Sequence, residues 1–386
     1  MPRPSRTENC PLWKNDGVSV DATSIRYARQ RTLTGFGLAG QNRVVAARVL
    51  VIGAGGLGCA VLPTLAAAGV GTIVLVDDDV IDESNLHRQT LFTSADVGLP
   101  KVTAAARALR RLSPEADIEP CDVHFDAGTV DELAAGADLI VDASDSMAVR
   151  YLANDTAARL GVPLVWGNAI GWTGQVGVAW DARGADYRDL FPDAPDTDAA
   201  TCSTLGVLPS VCTVVGGFMT AEVLKLLTGS AEGVLVGRVL YIDVLGGKVR
   251  EVGYQRSAAR HARPGDAAAS RVAATPAGSG RGDAVTAAEL RMLLGDGDPL
   301  VLVDVREGWE AELSRIDGSV LIPLGELPDR LGELDPGVRT IVYCQVGGRS
   351  AQALDMLQSN GFADAHHLTG GIVAWLQDAP ADARRS

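Results

Sequence analysis

The stretch VLVIGAGGLGCAVLPTLAAAGVGTIVLV, residues 49–76, decides the fold. For 28 residues it carries no charge, which by length alone is enough to cross a bilayer. Six glycines and Pro63 interrupt it, and it divides into an apolar strand (49–52), a glycine-rich turn, a helix to about Ala68 and a second strand (72–76). That is the pattern of a buried βαβ unit in a parallel sheet. The turn, Gly53-Ala54-Gly55-Gly56-Leu57-Gly58, lies between strand and helix. There, residues without side chains let the backbone approach a phosphate, and the helix N-terminus favours an anion.

A glycine turn followed by Asp77 at the end of the second strand also fits a dinucleotide dehydrogenase, in which the carboxylate holds a ribose hydroxyl. The residues after Asp77 change that reading. Asp77-Asp78-Asp79-Val80 runs into Ser84-Asn85-Leu86-His87-Arg88-Gln89, and Gly98-Leu99-Pro100-Lys101 opens the next helix. Hydride transfer has no use for these cations, whereas a triphosphate needs an Arg and a Lys to clamp it and to offset charge on departing pyrophosphate. The chain has only four lysines, so one inside a motif is less a matter of chance. Asp145, just past a strand ending at Asp142, can hold Mg²⁺, a hard cation that prefers one or two carboxylates plus phosphate oxygens. Taken singly, Arg88 and Lys101 read as solvated surface charges and Asp145 as a turn residue. The ordered set does not.

From Arg26-Tyr27-Ala28-Arg29-Gln30 to about Gly253 the chain resembles the ubiquitin-activating-like adenylyltransferases of molybdopterin and thiamine biosynthesis, the MoeB and ThiF type. RYxRQ, GxGGLG, DxDxVxxSNLxRQ and GxPK, in that order, carry the resemblance. It implies a Rossmann-like ATP-binding adenylation domain with a mostly parallel sheet. Gly53, Gly55 and Gly56 would form the nucleotide turn, Asp77 would hold the ribose, and Ser84, Asn85, Arg88 and Lys101 would lie along the phosphates. Asp145 would take Mg²⁺, and Arg29 would reach into the partner subunit's site of a homodimer. Arg26, in an N-terminal helix, reads as solvated. Thr201-Cys202-Ser203-Thr204 matches the family's crossover loop, which makes Cys202 either a second nucleophile or an inert structural thiol.

Two departures from the family are visible. Most relatives hold a structural Zn²⁺ between two Cys-x-x-Cys pairs, a tetrahedral thiolate site. Here Asp186-Tyr187-Arg188-Asp189 stands at the first position and the region after Gly253 has no cysteine, so no structural zinc is expected. Ser146 replaces the Asn that commonly follows the metal-binding Asp and still offers a hydroxyl.

QRSAARHARPGDAAASRVAATPAGSGRGD, residues 255–283, has almost nothing to bury and reads as a flexible linker between domains at 1–254 and 284–386. Beyond it the strand pattern resumes at 300–305 and 340–344, with helical stretches around 287–294 and 350–360, giving a smaller α/β domain. Cys344-Gln345-Val346-Gly347-Gly348-Arg349-Ser350 falls between a strand and a helix. Backbone N–H groups of such a loop, with Arg349, can lower a thiol's pKa and cradle an anionic persulfide, although an intracellular Cys is more often a small buried hydrophobe. Asp304-Val305-Arg306-Glu307, Ile316-Asp317-Gly318-Ser319, the Cys344–Arg349 loop, and Leu368-Thr369-Gly370-Gly371-Ile372 with Trp375 resemble a rhodanese domain. The resemblance implies Cys344 as the persulfide-bearing residue in a loop with Gly347, Gly348 and Arg349. Arg315 stands where many rhodaneses have His.

Composition sets the outer limits. With 386 residues, 47% apolar and 21% charged, the chain is globular and long enough for two domains. A net charge of −14 argues against nucleic acid as a partner. Six cysteines without a Cys-x-x-Cys pair, and an N-terminus lacking a signal-peptide core, point to a reducing cytoplasmic setting and no membrane. Cys212, in an apolar helical run, reads as packing. The expected activity is ATP- and Mg²⁺-dependent adenylation of the C-terminal Gly-Gly of a ubiquitin-like sulfur-carrier protein. Sulfur transfer from a Cys344 persulfide, loaded by a cysteine desulfurase or thiosulfate, would then give a thiocarboxylate. Rival readings are activation of a ribosomal peptide or ubiquitin-like modifier without sulfur, an inactive carrier-binding scaffold, and the dehydrogenase.

Overall fold

The computed structural model describes residues 20–192, 206–229, 233–256, 284–296, 299–306, 308–345 and 347–377. These fall into two compact units, one made of the described residues up to 256 and one of those from 284 onward.

In the first unit, strands β1 (Arg48–Ile52), β2 (Thr72–Val76), β3 (Asp117–Cys121), β4 (Leu139–Asp142) and β5 (Leu164–Ile170) pair in parallel in the order β3-β2-β1-β4-β5. β6 (Thr173–Ala179), β7 (Arg238–Asp243) and β8 (Lys248–Gly253) continue the sheet antiparallel. The central strands are buried on both faces, which is why they read as unbroken Val, Ile and Leu runs. β3, sequence DIEPC, has no such run. It carries Pro120 and sits at the sheet edge, the place in a sheet where a residue without an N–H is tolerated.

The 49–76 stretch is strand, turn, helix and strand, as its glycines dictate. Its helix, Gly56–Ala68, ends at Gly69 in the left-handed region (φ 89°). It packs against the helix Pro209–Thr228, where a β-carbon on Gly216 would come within 2.5 Å of Ala60 Cβ. Pro209–Thr228 is long and apolar enough to cross a membrane by length and composition. Here it supplies Val211, Val215, Met219 and Val223 to the core between the sheet and its neighbour helices.

The N-terminal RYxRQ segment is an anchor. Tyr27 is buried, its O–H donating to Glu115, and burial followed by the Glu115 charge pushes it up to about 12. Gln30 donates to Gln41 and to the Ala68 carbonyl. Arg26 is exposed, as expected, and also donates to the Leu112 carbonyl at 2.6 Å and pairs with Glu115 at 3.4 Å. Arg29, between these fastened neighbours, is exposed.

The second unit is a parallel five-stranded sheet in the order β11-β10-β12-β13-β9, with β9 Ala284–Val285, β10 Leu300–Asp304, β11 Val320–Leu321, β12 Arg339–Tyr343 and β13 Ala365–Leu368. Alternate residues supply two cores: Val303 and Val342 on one face, Leu302 and Ile341 on the other.

A paired substitution tests how tightly the glycine turn is built. Replacing a helical glycine by alanine normally stabilises by about 1 kcal/mol. Gly217, with open space at its β-carbon position, should follow that rule. Gly58→Ala should instead destabilise by about 1–3 kcal/mol, because its β-carbon would stand 2.1 Å from the Gly53 carbonyl oxygen. Urea melts of the two variants check the opposite signs.

Candidate active sites

β1 and β4 are neighbours although two strands separate them in sequence, so the connections leaving their C-terminal ends diverge and open a crevice. At its base Gly53 has φ +97°, and a β-carbon there would meet the Ala143 carbonyl oxygen at 2.9 Å. The resulting cleft holds about 410 Å³. Gly53, Gly55, Gly56, Asp77, Asn85, Arg88, Lys101 and Asp145 all line it, residues drawn from sequence positions almost a hundred apart.

Asp77, at the end of β2, accepts from the Ala54 N–H at 2.7 Å and the Asp79 N–H at 2.9 Å, which fixes the carboxylate at the crevice mouth. Burial raises its pKa against the opposing pull of Lys101. Lys101 is no surface charge: its side chain is 6% exposed and its ammonium bonds Asp79 at 2.7 Å. Arg88 lies over Gly56, its Cγ 3.4 Å from where a β-carbon would be, with its guanidinium 2.9 Å from His87 Nε2. Asp145 is exposed and makes no hydrogen bond among the described residues. Ser146 caps the helix Met147–Leu160 by accepting from the Val149 N–H.

Ser84 lies outside the lining, its hydroxyl donating to Asp82 at 2.6 Å. Arg29 also lies outside its own chain's crevice. Cys202 falls outside the described residues. Cys212, read as packing, is buried and also forms part of the crevice floor: its sulfur stands 2.8 Å from a β-carbon position on Gly56. Nearby Cys59 is pushed up to about 12 by burial, which keeps it an inert thiol. Sequence reasoning missed the wall after β3, Val123-His124-Phe125, where His124 pairs with Asp78 at 3.0 Å. It also missed Asn168 and Ala169 on β5. The available signal was positional: residues just past the C-terminal ends of parallel strands face the ligand crevice.

The Asp186-Tyr187-Arg188-Asp189 segment is a capped helical turn. Asp186 accepts from the Asp189 N–H at 3.1 Å, Asp189 accepts from the Asp186 N–H at 2.9 Å, and Asn154 donates to Asp186 at 3.2 Å. Carboxylates engaged with the backbone in this way do not fit a zinc donor set.

In the second unit Cys344 follows β12 and is 1% exposed. The Gly347 N–H donates to its sulfur at 3.1 Å, with the Ser350 hydroxyl oxygen 3.6 Å away. Gly347 has φ +115° and precedes the helix Gly348–Ser359, so the loop delivers the thiol to a helix N-terminus. Gly371 (φ +58°) backs the loop, where a β-carbon would be 2.4 Å from the Cys344 carbonyl oxygen, and the Ile372 N–H donates to that oxygen. Arg349 forks onto Glu310 with two 2.6 Å bonds, and Arg306 forks onto buried Asp304 while reaching Gln345 at 3.2 Å. Arg349 thus clamps the loop through Glu310.

Residues 27–262 match the ThiF family and residues 286–378 the rhodanese-like domain. The chain belongs to the ThiF family. This ThiF-family chain is 39% identical to the probable adenylyltransferase/sulfurtransferase MoeZ of Mycobacterium tuberculosis, over 92% of the chain and 94% of the relative. It is 34% identical to the adenylyltransferase and sulfurtransferase MOCS3 of Xenopus laevis over 97% of the chain and 93% of the relative. It is 43% identical to the SAMP-activating enzyme E1 of Haloferax volcanii over 59% of the chain and 84% of the relative. The crystal structure of E. coli MccB shares the fold, with a TM-score of 0.54 at 22% identity, over 61% of this chain and 71% of that one.

Gly371→Ala is expected to displace the Cys344 loop, lowering stability of that unit by about 1–3 kcal/mol and speeding alkylation of the otherwise buried thiol, followed by mass spectrometry. A second expectation concerns Asp77. An acid whose folded-state pKa is raised favours the folded chain most below its unfolded value and loses that advantage as pH rises through the folded value. Relative to Asp77→Asn, the wild-type chain should therefore lose stability as pH climbs through the acid range, measured by denaturant melts at stepped pH.

Proposed function

We propose that this protein adenylates the C-terminal glycine of a ubiquitin-like sulfur-carrier protein and then replaces the adenylate with sulfur from a Cys344 persulfide. One observation carries the reading: a nucleotide crevice with Asp77, Arg88, Lys101 and Asp145 on its walls, and a clamped cysteine loop, occur in one chain whose relatives across nearly its whole length are named for both transferase activities.

In this reading ATP lies across the Gly53–Gly56 turn with its ribose on Asp77 and its phosphates along Asn85, Arg88 and Lys101. Asp145 would hold Mg²⁺, which supplies charge neutralisation on the phosphates. The carrier's terminal carboxylate attacks the α-phosphorus and pyrophosphate leaves, its charge offset by Arg88 and Lys101. The terminal sulfur of the Cys344 persulfide then attacks the acyl carbonyl and expels AMP, leaving an acyl disulfide on Cys344. A second thiol, assigned to Cys202, attacks that disulfide, releases the carrier thiocarboxylate and forms a Cys202–Cys344 disulfide, which a cellular thiol reductant returns to the dithiol. The 255–283 stretch would let Cys344 reach the adenylate, and exposed Arg29 would complete the crevice of a second copy in a homodimer. Cysteine desulfurase or thiosulfate would load Cys344 in the reducing cytoplasm.

The rhodanese-like domain favours this reading over activation of a peptide or modifier without sulfur, because such an enzyme has no use for a sulfur-carrying thiol. Incubation with Mg-ATP, thiosulfate and Gly-Gly-ending carriers, read by intact mass, tests it. The expected result is carrier-dependent ATP–pyrophosphate exchange in both wild type and Cys344→Ala, with one oxygen of the carrier replaced by sulfur only in wild type. Exchange without sulfur in the wild-type product would favour the rival.

A further inference from the structure

Arg150 sits one turn into the helix Met147–Leu160 and is 2% exposed. Its guanidinium lies beneath the Ala143-Ser144-Asp145 loop. Nε donates to Asp142 Oδ2 at 2.6 Å, and Nη2 donates to the Ser144 carbonyl at 3.1 Å and the Gly167 carbonyl at 2.7 Å. Asp142 is fully buried, and its other oxygen accepts from the Ser144 N–H at 3.0 Å and the Ser144 hydroxyl at 2.6 Å. The rings of Trp166 and Tyr187 lie 5.8 and 5.9 Å from the guanidinium carbon.

A buried ion pair is weak evidence of a stabilising role, since the desolvation of two charges offsets their attraction and an apolar pair of similar volume often serves packing as well. What a guanidinium adds is geometry. Its planar array of donors can hold several acceptors at fixed angles, which neither a lysine nor an apolar side chain can do. Here the fork ties together the end of β4, the loop after it and β5. Two of these segments carry crevice walls: Asp145 follows Ser144, and Asn168 follows Gly167.

We infer that Arg150 is a positioning residue of the nucleotide reaction: by fixing the Ser144 and Gly167 carbonyls it sets where the Asp145 carboxylate and the Asn168 side of the crevice stand. Arg150 itself does not line the crevice. The inference rests on the nucleotide reading of that crevice and concerns a residue outside the motifs that identified it.

The test compares wild type with Arg150→Lys, which keeps a charge for Asp142 but loses the fork, and with the double variant Arg150→Met/Asp142→Leu, which removes both charges at once. Binding of ATP is measured by calorimetry with and without Mg²⁺, alongside ATP–pyrophosphate exchange and the thermal midpoint. In both variants affinity for Mg-ATP should fall by about tenfold or more, the scale seen when a residue that orients a metal ligand is lost. Affinity for ATP without Mg²⁺ should change much less, and exchange should lose kcat with little change in KM for the carrier. A folded variant that binds Mg-ATP and exchanges like wild type would show the pair to be packing only and overturn the inference, as would failure of both variants to fold. Wild-type protein that does not bind Mg-ATP would overturn the nucleotide reading itself, an outcome visible before any variant is made.

Discussion

A carbonyl oxygen stands 2.9 Å from where the side chain of residue 53 would begin. Because Gly53 has none, the turn after β1 closes onto the Ala143 end of β4, at the point where the chain's connections part to opposite sides of the sheet. The crevice walls are arranged around that approach. The helix Gly56–Ala68 starts at the crevice with its N–H groups forward, Asp77 is held by the Ala54 and Asp79 amides, and Asp145 projects from the opposing loop. Gly58 and Gly216 extend the constraint downward, since their missing β-carbons let the helix settle against Gly53 and against its neighbour Pro209–Thr228.

The second unit meets the same requirement at a different strand end. Gly371 presses on the Cys344 carbonyl as Gly53 presses on Ala143, and the Gly347 amide turns inward onto the thiol. In both units the strand ends fix the backbone and the glycines permit the approach, while charged side chains are held by acids close by: Lys101 by Asp79, Arg349 by Glu310, Arg306 by Asp304. Such pairing fixes the direction of each cation. For Arg349 it also means that its charge is offset by Glu310, from a separate helix, while the hydrogen bond to the Cys344 sulfur comes from the Gly347 amide.

Much of this was legible because buried parallel strands leave continuous apolar runs and because Gly, Lys and Cys inside motifs have few other reasons to be there. The Gly53–Gly56 turn, Asp77, Asn85, Arg88, Lys101 and Asp145, which the sequence groups together, meet in one crevice, whereas Ser84 and Arg29 of the same set lie outside its lining. What depended on distant partners was not. Arg26 gave no local hint of the Leu112 carbonyl, nor Arg349 of Glu310, 39 residues away. β3 escaped because Pro120 and alternating polarity hide an edge strand, and with it went the His124 and Phe125 wall. Asp186 and Asp189 were read for the thiols they lack, although acceptors three residues apart are also the signature of a reciprocal cap.

A single-turnover transfer would show whether both units act on one carrier molecule. Cys344 would be loaded with isotopically labelled sulfur, the excess donor removed, and a Gly-Gly-ending carrier added with or without Mg-ATP. Labelled sulfur should appear at the carrier's C-terminus only when Mg-ATP is present. Label that stays on Cys344 while the carrier accumulates as adenylate, or that reaches the carrier without ATP, would contradict that expectation.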